Sequence, residues 1–342
     1  MNLMPALAVT RGGMVESLHR AAVAVVSNSG DLIASFGDGQ TPIFLRSTAK
    51  IFQAMPLILS GAADRFGLTD EEIAIACSSH QGEAFHLAAV SQLLNKAGLD
   101  PSQLQCGTHQ PFSKNAQEFL CRNCESPGVL HNNCSGKHAG MLAACKCHNW
   151  ALEDYMEPSH PLQLLILETI ATFCALPASK VTTAIDGCAA PTFALPLKNL
   201  AHGFSRFISG AVDLEPALHA GSQRISNAIT GHPQLISGDG VIDCELIKAF
   251  KGTAICKLGA EGVFAMALKR STKYPKGVGI ALKIEDGSNE RARGVIMIEV
   301  LRQLGLLDSS LEIAFSRLFT FELKNHRGDT VGALEPLLKL DF

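Results

Sequence analysis

The order in which strand-like and helix-like segments follow one another constrains the fold of this chain most. Apolar runs rich in Ala, Val and Ile lie near both ends and are separated by a mainly helical middle. The strand-like runs are residues 17–26, 32–36, 181–185, 253–256, 262–268 and 277–284. Since no repeat or linker interrupts the chain, the pattern predicts one domain, residues 1–342, of the α/β class (α+β type). Its mixed or antiparallel sheet would come from both termini, be flanked by helices and carry an inserted helical lobe.

Segments with a helical periodicity of apolar residues fill most of the middle of the chain. They are residues 47–59, 83–96, 134–148, 161–174, 192–208, 215–229 and 288–304. The first segment is apolar almost all round, which is typical of a buried helix. Gly98 follows the second segment where a C-terminal cap belongs, and Pro161 lies in the first turn of the fourth.

Composition and charge exclude several classes of protein. Of the 342 residues, 47% are hydrophobic and 18% are charged, with 29 basic against 32 acidic residues, which is a packed globular composition. Without a basic stripe, neither nucleic acid nor a membrane is expected as a partner. The longest apolar runs are too short to span a bilayer, and the N-terminus lacks a signal-peptide pattern. The odd number of cysteines, 11, argues against a disulfide framework, so the sequence predicts a soluble cytoplasmic protein.

The sharpest local signal is the motif S-x-x-K formed by Ser47 and Lys50. Residues three apart share one face of a helix, so the hydroxyl and the amine would lie side by side. A serine hydroxyl becomes a nucleophile when a neighbouring base takes its proton, and a buried lysine can be that base. By itself the motif is a common coincidence, so further segments are needed to support a serine hydrolase.

Two further segments extend this pattern. Ser79 stands in a polar Ser-Ser-His turn, where it is either a helix cap or a second hydroxyl in a cleft. Lys257 and Gly259 follow a strand-like run, as in the third motif of penicillin-recognising enzymes, whose order is S-x-x-K, S-D-N, K-T-G. The order here is the same, although the middle motif is not S-D-N and the third lacks its hydroxyl residue. The order suggests two Ser/Lys pairs in one cleft.

A second polar segment, HNNCSGKHAG, precedes another apolar helix and places Cys134 and Lys137 three residues apart on one face. Asp186 and Cys188 lie on a tight turn further along the chain. Two thiols and a nitrogen base suit a zinc ion. No C-x-x-C or H-x-x-x-H pair accompanies them, so spacing alone favours two buried thiols near a site over a metal centre.

Taken together, these segments resemble the asparaginase II family, the rhizobial-type inducible L-asparaginases of the third structural class. Each block of the resemblance is a weak signal, but the set in this order is specific. The blocks are RGGMVES at 11–17, RSTAK at 46–50, SHQGE at 79–83, HNNCSGKH at 131–138, DGCAAP at 186–191 and KLGAEG at 257–262.

The resemblance implies a fold similar to that of serine β-lactamases and glutaminases. It implies hydrolysis of L-asparagine to L-aspartate and ammonia. In this resemblance Ser47 is the nucleophile and Lys50 its base, while Ser79 and Lys257 form a second, coupled pair.

The resemblance also implies a zinc ion bound by Cys134, Lys137 and Cys188, which assists binding or site order more than the chemistry. A lysine must lose its proton to bind a metal, so this ligand is unusual. Family analogy further implies a homodimer. Candidates to hold the amino-acid head group of L-asparagine are Arg46, His80, His138 and Asp186.

Two other functions fit the same residues. One is another acyl-transfer serine hydrolase on this scaffold, such as a glutaminase or a β-lactam or peptide hydrolase. The other is a non-catalytic zinc- or amino-acid-binding protein, which would bind asparagine without releasing ammonia.

Overall fold

The computed structural model describes residues 2–287, 291–318 and 321–342. Its strands are β1 (Met4–Arg11), β2 (Met14–Ser27), β3 (Leu32–Phe36), β4 (Pro42–Phe44), β5 (Thr182–Ile185), β6 (Pro191–Pro196), β7 (Ala254–Leu258), β8 (Val263–Leu268), β9 (Val278–Ile284), β10 (Glu322–Lys324) and β11 (Thr330–Pro336). Eight strands form one sheet in the order β10-β11-β1-β2-β9-β8-β7, with β3 also paired to β2. Strands β4, β6 and β5 form a second sheet of three strands.

The helices lie mostly between the two strand-rich ends of the chain. They are α1 (Lys50–Gln53), α2 (Met55–Leu59), α3 (Ala62–Arg65), α4 (Asp70–Ala76), α5 (Ala84–Ala97), α6 (Lys114–Arg122), α7 (Ser135–His148), α8 (Pro161–Phe173), α9 (Leu197–Ser209), α10 (Pro216–Gly231), α11 (Pro233–Ser237), α12 (Ile242–Ala249), α13 (Arg293–Gln303) and α14 (Ser309–Leu318). Four short 3₁₀ turns accompany them, at Arg46–Ala49, Pro101–Gln103, Val129–His131 and Ala178–Lys180.

The large sheet is antiparallel throughout and joins both ends of the chain. Strand β1 pairs with β2 on one side and with β11 on the other, so N- and C-terminal segments share one sheet. Residues 21–26 of β2 are all buried, as expected for a central strand covered on both faces. Helix α9 packs on β2, β8 and β9, while α4, α5, α7 and α10 pack on one another as a helical lobe. The predicted fold class, a sheet from both termini with an inserted helical lobe, is confirmed.

An aromatic cluster anchors the start of the lobe where the site lies. The ring of Phe52, two residues after Lys50, lies 5.7 Å from Phe173, 5.8 Å from Phe204 and 5.5 Å from Phe207, measured between centroids. Such pairs are each worth about 0.5–1.5 kcal/mol beyond the area they bury. The cluster therefore holds α1 in one orientation, although α1 is a single turn.

Three predicted helices differ from the observed ones, in two cases because of prolines. The segment 192–208 begins with strand β6, which is bounded by Pro191 and Pro196, and only then becomes α9. A residue before proline avoids the helical conformation, so this helix cannot start earlier. The segment 47–59 is divided into a 3₁₀ turn, α1 and α2, because Pro56 has no N–H to continue the hydrogen bonds.

The third difference concerns the predicted helix 288–304, of which α13 accounts for Arg293–Gln303. Residues 288–290 of that prediction lie outside the described residues. A separate finding concerns membranes. Within the described parts of the chain, none of the helices has both the length and the hydropathy that crossing a bilayer requires.

Candidate active site

A cleft of about 710 Å³ lies where the end of β7 meets the helical lobe. Both predicted hydroxyls, those of Ser47 and Ser79, line it. Leu258 from the end of β7 and Arg293 from the start of α13 form part of the opposite wall. The lobe and the loops before α12 supply further lining residues, among them Gln81, Phe112, Asn133 and Val241. The cleft therefore brings together the first and second predicted motifs and the end of the third.

Ser47 is placed in the cleft by the 3₁₀ turn that leads into α1. The turn begins at Arg46, whose φ of 50° is a left-handed conformation that few residues with a Cβ adopt. Such strain costs on the order of 1–3 kcal/mol and persists where neighbouring contacts enforce it. Asp186 supplies one such contact, because its Oδ1 accepts from Arg46 Nε at 2.9 Å and lies 2.8 Å from Arg46 Nη2. Ser47 Oγ makes no hydrogen bond to another described residue.

Strand β7 closes tightly against the Ser47 turn. A Cβ on Gly259 would lie 3.0 Å from the carbonyl oxygen of Leu45 and 3.3 Å from Thr48 Cγ2. Glycine is therefore needed just after β7 for the strand to approach the turn. On the other side of the turn, the N–H of Leu45 donates to Phe193 O at 2.8 Å and ties it to β6.

Lys50 lies behind the cleft and is 1% exposed. Its Nζ donates to Ser79 Oγ at 2.9 Å, to Ser78 O at 2.5 Å and to Asn133 O at 3.4 Å. Its partners are thus two carbonyl oxygens, which can only accept, and one hydroxyl, which can either accept or donate. The amine therefore contacts one side-chain hydroxyl of the cleft, that of Ser79.

Ser79 is held by the turn that follows α4. Its N–H donates to Ile236 O at 2.8 Å, which links the turn to α11. Its Oγ is 2.9 Å from Lys50 Nζ. The side chain is 4% exposed and lines the cleft, so the hydroxyl connects a buried amine with the space where a substrate would lie.

Lys257 is fully buried on β7, beneath the cleft wall. Its Nζ is 3.3 Å from Asp243 Oδ2 and 3.3 Å from Leu258 O. Burial lowers the pKa of Lys257 to about 8, and the positive charge of nearby Lys50 contributes to this decrease. The carboxylate of Asp243 acts in the opposite direction and raises the pKa. The expected Ser79–Lys257 pair is not the one seen: among the described residues, Ser79 contacts Lys50 and Lys257 contacts Asp243.

The three residues expected to bind zinc converge beside the cleft. Lys137 Nζ is 3.0 Å from Cys188 Sγ, and all three side chains are 3–5% exposed. A hydrogen bond from the Cys134 thiol lowers the pKa of Cys188 far below its usual range, and the same contact, with burial, raises that of Cys134. Burial is the strongest single influence on Lys137 and lowers its pKa, but Cys188, Cys134 and Asp186 together outweigh burial and raise that pKa.

The predicted substrate-binding histidines do not reach the cleft. His80 and His138 are both 0% exposed. Both ring nitrogens of His80 are used, at 2.9 Å from Ser135 Oγ and 3.1 Å from the N–H of Gly82. His138 Nδ1 is 2.6 Å from Tyr155 Oη, and the ring also makes a hydrogen bond with the Cys188 thiol. Burial lowers the pKa of His138 to about 4.

Two charged residues of the site were missed from the sequence. Asp243 is 0% exposed and lies beside Lys257, and Arg293 is 3% exposed and lines the cleft, where its Nη2 donates to Gly259 O at 2.8 Å. A signal for Asp243 did exist, because the acid stands three and four residues before Leu246 and Ile247, on the apolar face of α12. An acid on an apolar helix face is rare unless it is paired.

Comparisons with known proteins agree with this geometry. The family model described as L-asparaginase II matches residues 7–336. Among solved structures, a probable glutaminase from Bacillus subtilis complexed with 6-diazo-5-oxo-L-norleucine is 12% identical, with 84% of each chain covered and a TM-score of 0.40. A β-lactamase from Burkholderia ambifaria is 11% identical, with 88% of this chain and 94% of that chain covered and a TM-score of 0.36. A comparison with curated proteins gives no match.

The family match decides the assignment, because it extends over nearly the whole chain and includes every motif that lines or supports the cleft. The structural likenesses add no further argument at these TM-scores. This chain belongs to the L-asparaginase II family of amidohydrolases.

Proposed function

We propose that the protein hydrolyses L-asparagine to L-aspartate and ammonia. The observation that supports this best is the arrangement of Ser47 and Ser79 in one cleft, with the buried amine of Lys50 2.9 Å from Ser79 Oγ. Two hydroxyls served by a water-shielded amine suit acyl transfer through a serine ester. The small zwitterionic substrate also fits a family of amidohydrolases whose members are described as L-asparaginases.

The proposed chemistry has two stages. Ser47 Oγ attacks the side-chain amide carbon, and its proton passes to Lys50, directly or through Ser79. The C–N bond then breaks as that proton reaches the leaving nitrogen, and ammonia departs. Water next attacks the ester carbon and gives its proton back through the same amine to Ser47, which releases L-aspartate. Backbone N–H groups next to Ser47 would stabilise the oxyanion in both stages.

The amine of Lys50 is suited to this exchange in either protonation state. As a neutral amine it can donate its two N–H groups to Ser78 O and Asn133 O, which leaves its lone pair for the hydroxyl of Ser79. As an ammonium it donates to all three oxygens. The three contacts of the amine are thus compatible with either protonation state.

Cations at the cleft are the proposed partners of the substrate carboxylate. Arg293 lines the cleft with its guanidinium, and Arg46 lies next to Ser47 in its pair with Asp186. Asp186 would in turn favour the substrate ammonium. His80 and His138 are buried, so we propose that they support the surrounding turns rather than touch the substrate.

We propose that Cys134, Cys188 and Lys137 hold a zinc ion. Two buried thiols and an amine form a donor set that suits zinc, and the ring of His138 lies beside them within hydrogen-bond reach of Cys188. Binding would release the lysine proton. A bound cation there would supply positive charge and fix the turn that carries Asp186. Metal analysis of the purified protein, with Cys188→Ser as the comparison, tests the site.

The test of the function is ammonia release from asparagine by the Ser47→Ala variant. We expect kcat to fall by at least about 1,000-fold, because the nucleophile is lost. Ser102→Ala, at an exposed serine that is not among the residues lining the cleft, is the matched control and should keep full activity. Near wild-type turnover in Ser47→Ala would remove Ser47 from the proposed role.

A substrate panel separates the remaining alternatives. Asparagine, glutamine and a chromogenic β-lactam distinguish an asparaginase from other acyl-transfer enzymes on this scaffold. Asparagine binding without ammonia release, measured by calorimetry, would instead indicate a non-catalytic binding protein.

We also propose a cytoplasmic homodimer. The location is supported by the cysteines, because all 11 are free. The dimer is supported by family resemblance and is tested by light scattering of the protein in solution.

A further inference from the structure

Asp243 is a buried acid that satisfies four donors at once. It lies in the first turn of α12 and is 0% exposed. Ser237 Oγ and the N–H of Cys244, at 3.1 Å, donate to its Oδ1. The N–H of Leu258, at 3.1 Å, and Lys257 Nζ, at 3.3 Å, donate to its Oδ2. Both oxygens of this carboxylate are therefore occupied by donors from α11, α12 and β7.

Asp243 is also the acid that faces the second lysine of the site. The charged groups acting on Lys257 are Asp243 on α12, Lys50 on α1 and Arg293 on α13. The thiols that face it are Cys77 after α4 and Cys256 on β7. Since Lys50 and Arg293 both repel an ammonium at Lys257, the carboxylate of Asp243 is what favours that cation.

The same carboxylate is connected to both walls of the cleft. Its bond to the N–H of Leu258 fixes the end of β7, which lines one wall. Its bond from Ser237 fixes the end of α11, where the neighbouring carbonyl of Ile236 accepts from the N–H of Ser79. A single buried side chain thus sets the distance between the Ser79 turn and β7.

We propose that Asp243 is a positioning residue that holds Lys257 as a fixed cation beneath the cleft wall, so that Lys50 is the amine that exchanges protons with the serines. This inference rests on the proposed function for its catalytic consequence. The structural part of the inference, in which one acid keeps Lys257 charged, does not depend on the proposed function. The two lysines of the site would then have different roles, one electrostatic and one in proton transfer.

The main test is the isosteric variant Asp243→Asn, assayed with asparagine across pH. We expect kcat to fall about 100-fold with KM little changed, because Asp243 acts on the reacting groups through Lys257 and touches no substrate. We also expect the alkaline limb of the pH profile to move to lower pH. Removing the negative charge lowers the pKa of Lys257 further below its present value of about 8, so the cation is lost earlier.

Three companion variants separate positioning from plain loss of folding. Asp243→Glu should recover part of kcat and of the alkaline limb, since it restores the charge. Ser237→Ala keeps the Asp243–Lys257 pair but removes one bond, and should lower kcat about 10-fold while the protein stays folded. Glu245→Gln changes an acid of the same helix that pairs with Lys248, and should behave as wild type.

An activity-independent readout distinguishes failure of this inference from failure of the proposed function. Lysine-selective ¹³C NMR, with Lys257 assigned from its missing signal in Lys257→Met, follows the titration of the amine directly. A lower titration midpoint in Asp243→Asn supports the inference even if the wild type releases no ammonia. The absence of ammonia release would contradict only the proposed function. An unchanged midpoint, or wild-type kcat and pH profile in both Asp243→Asn and Ser237→Ala, overturns the inference.

Discussion

At the scale of single residues, two stacked histidines stabilise the turn that carries Ser79. The rings of His80 and His86 lie 5.2 Å apart between centroids. His80 Nδ1 accepts from Gly82 N–H, and His86 Nε2 donates to Gln234 O at 3.1 Å, so each ring has a fixed neutral tautomer. Burial lowers the pKa of His80 far below its usual value and that of His86 to about 4.

These two rings make stability depend on pH. Above about pH 7.5 they are almost entirely neutral in both the folded and the unfolded chain and contribute little dependence. As pH falls below 6.5, these histidines bind protons in the unfolded chain but not in the folded protein, so the free energy of unfolding decreases. Between pH 6.5 and 5.5 we expect a loss of about 1 kcal/mol for each of His80 and His86, measured by urea unfolding.

The variant His86→Gln checks this assignment, because the amide keeps hydrogen-bonding groups but does not titrate. It should remove about half of the loss attributed to the two rings. The same pH dependence in His86→Gln as in wild type would show that His86 is not one of the titrating groups.

At the scale of elements, the approach of α7 to α4 assembles the site. A Cβ on Gly136 would lie 2.2 Å from the carbonyl oxygen of Ile75, and one on Gly140 would lie 2.9 Å from Ala76 Cβ. The end of α4, which leads into Ser79, therefore packs directly on the start of α7, which carries Lys137. Two glycines on one face of α7 therefore allow the turn that carries Ser79 to lie close to the start of the helix that carries Lys137.

Replacing Gly136 with alanine should separate these elements. We expect a loss of at least about 2 kcal/mol of stability, because the new methyl group meets a backbone oxygen that cannot move aside. Gly231→Ala, at the end of α10 with nothing within 4 Å of the added Cβ, is the matched control. Urea unfolding measures both. Equal stability of the two variants would contradict the close approach of α7 and α4.

At the scale of the whole molecule, the sheet requires both ends of the chain. Strand β11 covers the edge of β1, with Leu7 opposite Pro336 and Arg11 opposite Gly332. Leu334 and Leu338 of the C-terminal segment are buried against the core. The large sheet is therefore complete only when β11 has paired with β1.

A chain ended at Leu318 should lose cooperative thermal unfolding, because β1 becomes an open edge and its cover is gone. Removing Phe342 alone is the control, since that side chain is 72% exposed and should leave the unfolding midpoint unchanged. A truncated chain that melts like the full-length protein would show that β10 and β11 are dispensable.

Much of this architecture follows from local pattern. The apolar runs predicted β2, β3, β7, β8 and β9 of the large sheet, whereas β1, β10 and β11 were not predicted. The S-x-x-K motif predicted that Ser47 and Lys50 lie at the start of a buried helix. The pairing of the lysines could not be predicted in this way. Ser79 lies 29 residues from Lys50, and Asp243 lies 14 residues from Lys257, so both contacts depend on how separate elements pack.

The sequence by itself determined the longer helices and the strands β2, β3, β5, β7, β8 and β9, because periodicity, proline and glycine act on neighbouring residues. It also determined the chemical groups available, namely hydroxyls, amines and thiols in a fixed order along the chain. Only the tertiary structure decided which amine contacts which hydroxyl and which acid lies beside Lys257. Those choices depend on distances between elements far apart in the chain, and burial makes each distance decisive by removing the water that would otherwise screen the charges.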